Sequence, residues 1–376
     1  MSGYSMHVTG VGLVTCLGSD ATSSVAGMRA GLVRRTEIEG VTNWDEEDFD
    51  APAFGAPARD LCDGFVHSAA WVRLAQASIG DLRRDMQAAD PREPDRWNDT
   101  TLLWCLPDLR FERFGWPEDD VPALLDEWCR SVLARIAGLR LPQDRVEFLA
   151  SGAVGPALAL KRAASLLQRR EAKHVLVLAT DSWLDRMSVL DLVRQDRLAT
   201  DERPAGLVPG EAGACVLIEE MSVAQARSVP VRASIAAVAT REPESPLPGE
   251  EFVREHVAAT PSLGRALARV IDEALGAAGL SSLRGDVIVD LNGEEWRALT
   301  WGHALPLLHR QLRSGAYRTI VPAISFGDVG AVAGLIGLIA ATRAFERRYA
   351  RGRDALIPLV ADDAQVAAVV ASAASA

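Results

Sequence analysis

Hydrophobic positions recur along this chain at period two and at a period near 3.6 by turns, which marks strands alternating with amphipathic helices. In the second half, Val231 to Ala239 reads as a strand and Pro261 to Ala278 as a helix. Asp286 to Leu291 is then a short β-branched run, Glu294 to Leu312 has helical spacing, and Thr319 to Ile324 is again strand-like. A helix from Asp328 to about Arg347 follows, with Gly334 and Gly337 marking close packing, and Leu356 to Val360 with Gln365 to Val370 close as a strand pair. The first half runs in the same order. Strands are predicted at Met6 to Leu13, Thr101 to Leu106, Arg145 to Leu149, Val175 to Thr180 and Ala212 to Glu219, and helices at Val66 to Asp85, Asp120 to Ala137 and Ser151 to Gln168.

Both halves therefore give strand, helix, strand, helix, strand, helix, strand, strand. That order predicts an α/β fold with sheets covered by helices. A matched pair of such units predicts two pseudo-twofold halves, 1–220 and 221–376, divided near Met221 to Pro230. Stretches 41–60, 88–98, 186–209 and Arg241 to His256 lie outside the repeat, and their Pro, Asp and Glu content predicts exposed loops or insertions.

Composition narrows the classes of function. The chain has 376 residues, 48% hydrophobic and 24% charged, as in an ordinary globular protein. Its formal net charge of −11 argues against a nucleic-acid partner, which needs clustered Lys and Arg to release counterions. Neither of the two lysines, Lys161 and Lys173, follows the glycine spacing of a phosphate-cradling loop. Met1 to Gly12 has no secretory pattern, and the longest apolar stretch, Val329 to Ala341, falls short of the roughly 20 residues a membrane helix needs, so a cytoplasmic location off the membrane is expected. The 5 cysteines are scattered and the 6 histidines lie apart, so neither a disulfide framework nor a metal site is expected. Thr9 to Thr15 lacks the third glycine of a dinucleotide fingerprint, and no nucleophile elbow of the G-x-S-x-G type occurs; no cofactor is expected.

Three ordered segments carry a resemblance. Val8-Thr9-Gly10-Val11-Gly12-Leu13-Val14-Thr15-Cys16-Leu17-Gly18 resembles the N-terminal T-G-x-G-x-V-T-P-x-G of the β-ketoacyl synthases, the condensing enzymes of thiolase-like fold. Pro209-Gly210-Glu211-Ala212-Gly213-Ala214 is similar to that family's P-G-E-G-A stretch, and Ile324 to Gly334 to its S-x-x-G-H-x-x-G-A-A-G segment. The resemblance implies a layered α-β-α-β-α arrangement with a mixed five-stranded sheet in each half.

It also implies where chemistry should sit. On this alignment the nucleophilic cysteine position holds Leu149, the two histidine positions hold Asn292 and Asp328, and the lysine position holds Ala323. Asn292 with Glu295 matches a helix capping box, Asp328 matches an N-cap, and Ser151 also matches a helix-start cap. Condensation needs a nucleophile and imidazole donors. These replacements predict a vestigial site, in which Trp104, Trp183 and Trp296 fill space; an exposed aromatic anchor for a partner is the competing reading.

A catalytically inactive protein that binds a protein partner is the leading expectation. Resemblance to degenerate family members in type VI secretion gene clusters implies an accessory or chaperone role toward a secreted effector or secretion component. The alternatives are a chain-length-factor-like noncatalytic subunit, which should keep an acyl tunnel, and an acyltransferase with displaced chemistry on Ser151, Asp328 or Cys105. The family's twofold pairing implies a possible homodimer through the region of Thr101 to Leu106 and Arg145 to Leu149.

Overall fold

The computed structural model describes residues 6–43, 51–87, 97–110, 112–115, 120–132, 142–200, 203–243, 247 and 251–374. The first half contains β1 (Met6–Val14), α1 (Ala21–Arg29), β2 (Thr36–Asn43), β3 (Ala51–Gly55), α2 (Ser68–Gln87), β4 (Thr100–Leu106), β5 (Val146–Ala150), α3 (Gly155–Gln168), β6 (His174–Ser182), α4 (Arg186–Arg194) and β7 (Glu211–Glu220). The second half contains β8 (Ala233–Arg241), α5 (Phe252–Ala277), β9 (Gly285–Ile288), α6 (Glu295–Ala304), β10 (Arg318–Ile320), α7 (Ala333–Glu346), β11 (Asp354–Val360) and β12 (Val366–Ala373).

Ten strands hydrogen-bond in the order β10-β9-β11-β12-β8-β1-β7-β6-β4-β5. Reading outward from the middle, each half runs first, fifth, fourth, second, third strand. The pairing senses match as well: β4 is parallel to β5 and β6, β9 is parallel to β10 and β11, and the remaining pairs are antiparallel. The two five-strand sets expected from the sequence are joined where Met6 to Val8 of β1 pairs with Ala233 to Ile235 of β8.

Burial explains why β1, β4 and β6 read as nearly unbroken apolar runs: every residue in them is enclosed. The central core joins α3 and α7 to strands of both halves, among them Leu160, Ile336, Val177 and Ile357. On one outer side, Ile79 and Leu82 of α2 pack with Leu102 and Leu176; on the other, Leu267 and Ile271 of α5 and Trp296 of α6 pack with Val287 and Leu356. The result is the expected five layers. A Cβ on Gly334 would lie 3.0 Å from Leu359 and Pro156, and one on Gly337 would lie 2.7 Å from Ile357, so both glycines do mark close packing.

Several local expectations change. Residues 41–60 are not simply loop: β3 pairs with β2 as a small antiparallel sheet, and 44–50 lie outside the described residues. Of 88–98, the described part includes a short turn at Trp97–Asp99. The 186–209 stretch opens with α4, whose N-cap Asp185 accepts from Ser188 N. Helix α1, unpredicted, is capped by Asp20, which accepts from Ser23 N. Helix α5 begins at Phe252, upstream of Pro261, and the Val257 carbonyl that proline cannot serve accepts from the Thr260 hydroxyl at 2.8 Å. The Asp120 to Ala137 helix is helical over Val121–Arg130, widening to π-type turns from Leu125; part of the rest lies outside the described residues. No described helix is long and apolar enough to cross a membrane.

Candidate functional site

The third strand of each half leads to a helix start with the same tripeptide, Gly-Ala-Val. After β5 the chain turns at Ser151 (φ −133°, ψ 24°) and Gly152 (φ +52°) into the tight turn Gly152–Val154 that opens α3. In the second half, the chain turns at Val329 (φ −115°, ψ 18°) and Gly330 (φ +48°) into Gly330–Val332, which opens α7. Positive φ favours glycine at both places. At Gly330 space demands it as well, since a Cβ there would lie 2.0 Å from Asp181 Oδ2.

Both turns line one cavity of about 30 Å³, closed on its other sides by Arg113, Asp181, Trp183 and the turn at Asp362–Asp363. Space of this size admits roughly two waters, which is too little for an acyl chain. The Asp181 side chain, at the end of β6, accepts from Arg113 Nη2 at 2.9 Å and from Ala331 N at 3.0 Å. The Arg113 guanidinium lies 3.6 Å from the centre of the Trp183 ring, a cation held against an aromatic face. Burial raises the Asp181 pKa, opposed by Arg113 and the Ala331 amide.

A network of buried charges backs this cavity. Asp328 accepts from Gly330 N at 2.8 Å and from Asn292 Nδ2 at 2.6 Å. Asn292 also bonds Glu294, which is paired with Arg197 at 2.7 Å. Arg197 and Arg297 both reach Asp362, at 3.0 and 2.7 Å, and Arg297 reaches Asp290 at 3.1 Å. Burial alone would raise the Asp362 pKa, yet Arg197 and Arg297 hold it at about 2, whereas burial pushes Asp290 up to about 6. Arg110 bridges Asp108 and Asp363 at the rim. Arg110 and Arg197 belong to the first half and Glu294, Asp362 and Asp363 to the second, so these ion pairs tie the halves together at the cavity.

The sequence-predicted positions separate here. Ser151 and Trp183 line the cavity with Asp328, and Asn292 reaches it through Asp328. Leu149 lies inside β5, opposite Cys105, and packs into the central core instead of the cavity. The residue at the mouth of the helix start is Ser151. Ala323 begins a short helical turn, Ala323–Phe326, and borders a separate cleft of about 410 Å³ with Arg35, Phe54, Val208 and Ile324. All three tryptophans are buried, which removes them as exposed anchors in this structure, but only Trp183 fills the site. Trp104 faces the outer core, donating to Thr180 Oγ1 at 2.9 Å, and Trp296 packs beside His256 and Phe252.

Three capping expectations are corrected. The N-cap of α6 is Glu294, not Asn292, and Asn292 instead accepts from Glu294 N and donates to Asp328. Asp328 does cap, but through Gly330 N at the start of the turn before α7. Ser151 makes no side-chain cap bond. No thiol or imidazole is among the residues lining the cavity. Cys105 is enclosed in β4, and burial raises its thiol pKa far above the range where thiolate forms. Sequence reasoning missed the arginines and Asp181, because ion pairs between distant segments leave no periodic signal.

No family model and no curated protein sequence matches the chain. Solved structures do match. A type II polyketide synthase ketosynthase with its acyl-carrier protein, AntDE:AntF, gives a TM-score of 0.74 at 15% identity, covering 99% of this chain and 100% of that one. The ishigamide ketosynthase/chain length factor gives 0.72 at 19% identity, covering 99% and 100%. The oxazolomycin ketosynthase domain OzmH KS7 of Streptomyces albus JA3453 gives 0.74 at 14%, covering 99% of this chain and 74% of that one. The chain therefore has the ketosynthase, thiolase-like fold over nearly its whole length.

Proposed function

We propose that this chain is a ketosynthase-fold protein without condensing activity that serves as a protein-binding accessory or chaperone. The observation that carries the reading is the substitution of chemistry by ion pairs. Where condensation needs a thiolate and imidazole donors, the cavity presents Ser151 and Asp328, with Asn292 bonded to Asp328 and Arg197, Arg297 and Glu294 fixed around them. Excess carboxylate around a cavity of about 30 Å³ also disfavours a malonyl-type anion, both by charge and by size.

A protein partner is supported by the company its structural matches keep: one is in complex with an acyl-carrier protein and another is a ketosynthase/chain length factor. The cleft of about 410 Å³ has Ile324 and Phe54 exposed at its rim, an apolar surface suited to contact with another chain. Resemblance of the sequence to degenerate members in secretion gene clusters makes a type VI secretion effector the expected partner.

Intact-mass spectrometry after incubation with acyl-CoA and acyl-carrier-protein thioesters is expected to detect no acyl adduct. Ser151→Cys, which supplies a thiol and no imidazole, is expected to yield no β-keto product. An acyl-enzyme mass on the native protein would overturn the reading. Co-purification at native expression level is expected to recover a secretion effector; recovery with an active ketosynthase subunit instead would favour the chain-length-factor alternative.

A further inference from the structure

The net charge of −11 is unevenly spread. Asp290 and Asp362 follow β9 and β11 at the cavity, and the segments that enter β9, β10 and β11 are tied together at the other ends of these strands. Arg318 is bidentate on the buried Asp286, at 2.8 and 2.9 Å, and reaches the Tyr349 carbonyl at 3.4 Å. Arg351 N donates to Asp286 at 3.3 Å, and the Arg351 side chain holds the Gly315 carbonyl. A Cβ on Gly352 would lie 1.9 Å from the Arg284 carbonyl, and the Arg29 guanidinium, at the end of α1, lies 4.1 Å from the centre of the Tyr349 ring. One face thus gathers Arg29, Arg313, Arg347, Arg348, Arg351 and Arg353, all exposed.

Among the described residues none of these six forms an ion pair. The acids of the same segments are engaged elsewhere: Asp286 by Arg318, Glu346 by Arg343 and Arg232, and Asp354 by the Ser372 hydroxyl at 2.6 Å. The C-terminal dipole of α7 accounts for Arg347 and Arg348, which follow its last residue, Glu346. It does not account for Arg29, Arg313, Arg351 and Arg353, and like charges gathered on one face repel unless an anion joins them. Guanidinium forks match carboxylate and phosphate alike. With these cations set apart, the remainder of the chain is more acidic still than −11, so a polyanion extending past the face, such as a nucleic acid or an anionic bilayer, meets repulsion there. A short run of carboxylates stays within the face.

We propose that this arginine face is a docking surface for an acidic segment of a protein partner, whose carboxylates are taken by the guanidinium groups. It lies at the strand ends away from the cavity and needs nothing of the chemistry there. The inference rests on the accessory reading only for the partner being a protein.

Fluorescence anisotropy of fluorescein-labelled hexaglutamate, titrated with the whole chain, tests it. Micromolar binding is expected at about 0.1 M salt and none at about 1 M, where the screening length falls from about 10 Å to about 3 Å. Arg347→Gln, Arg348→Gln and Arg353→Gln combined are expected to weaken binding about tenfold, and Arg347→Glu alone about threefold. The three side chains are exposed and form no ion pair, so the combined variant keeps the fold. Arg186→Gln, Arg254→Gln and Arg265→Gln, which remove the same charge from other exposed positions, are expected to leave binding within about twofold. No binding of hexaglutamate, or binding that survives in the combined variant, overturns the inference. Stronger binding of labelled oligothymidylate, or of vesicles of equimolar phosphatidylcholine and phosphatidylserine, lost in the same variant, overturns it in favour of a nucleic-acid or a membrane surface. A partner recovered by co-purification is expected to be lost from the combined variant; its retention would place the contact elsewhere and overturn the inference while leaving the accessory reading intact. Recovery of no partner would count against the accessory reading instead, and the peptide titration reads the face independently of it.

Discussion

Two helix starts with the same Gly-Ala-Val tripeptide, at equivalent places in the two halves, have been finished differently. The one before α7 is closed: Asp328 and Asp181 accept its first two N–H groups, and Asp181 in turn holds Arg113. The one before α3 is open, with Ser151 uncapped and its turn facing the cavity. Equivalent backbones thus carry unequal electrostatics, because the closing carboxylates come from outside each turn. A helix start needs its N–H groups met, and which one is left open decides where a ligand could go.

Removing the closure should have the largest effect. Asp181→Ala leaves Arg113 buried without its counter-ion and frees the Ala331 N–H, so a loss of about 3–5 kcal/mol is expected in urea unfolding. A loss below about 1 kcal/mol would mean that the two starts differ in appearance only.

The pH dependence probes the charges behind the closed start. Asp290, raised by burial to about 6, binds its proton more tightly folded than unfolded. Its contribution is therefore full below about pH 4 and is lost as the pH rises through about 6, a change of about 3 kcal/mol. Asp362 has the opposite sign: Arg197 and Arg297 outweigh burial and hold it at about 2, so its contribution is present above about pH 4 and lost as the pH falls toward about 2. Asp290→Asn is expected to shallow the decline as the pH rises from 4 to 6, leaving the part due to other carboxyls raised by burial, such as Asp181, while the acid limb persists. Urea midpoints from pH 3 to 8 measure both, and an unchanged decline in the variant would assign it to another group.

The smallest effect is expected at the open start. Ser151→Ala removes a hydroxyl that makes no cap bond, and stability should stay within about 0.5 kcal/mol of the native protein. A larger loss would show that Ser151 caps α3 in solution and would erase the contrast.

Much of this fold was legible in the chain. Enclosed strands such as β4 and β6 read as apolar runs because both faces are covered, and Gly334 and Gly337 announced close helix packing. What escaped had a local cause in each case. Helix α5 crosses Pro261 because Thr260 satisfies the carbonyl left over, and β3 needed β2 to show itself as a strand. At the site, Asn292, Asp328, Trp183 and Ser151 were singled out; Ser151 lines the cavity, whereas Leu149 lies inside β5 and packs against the central core, a difference of placement that the order of residues alone does not give. Arg113, Asp181, Arg197 and Arg297 gave no signal at all.

By itself the sequence determined the alternation of strands and helices and the repeat of that order, because period and burial are properties of short segments. It also determined that neither Asn292 nor Asp328 is a histidine. Only the tertiary structure decided which helix start is closed and which charges meet around the cavity. Those depend on side chains from β6, from the segment after β4 and from the turn after β11 arriving within hydrogen-bond reach, and such reach is fixed by packing of the two halves against each other, not by the order of residues in either.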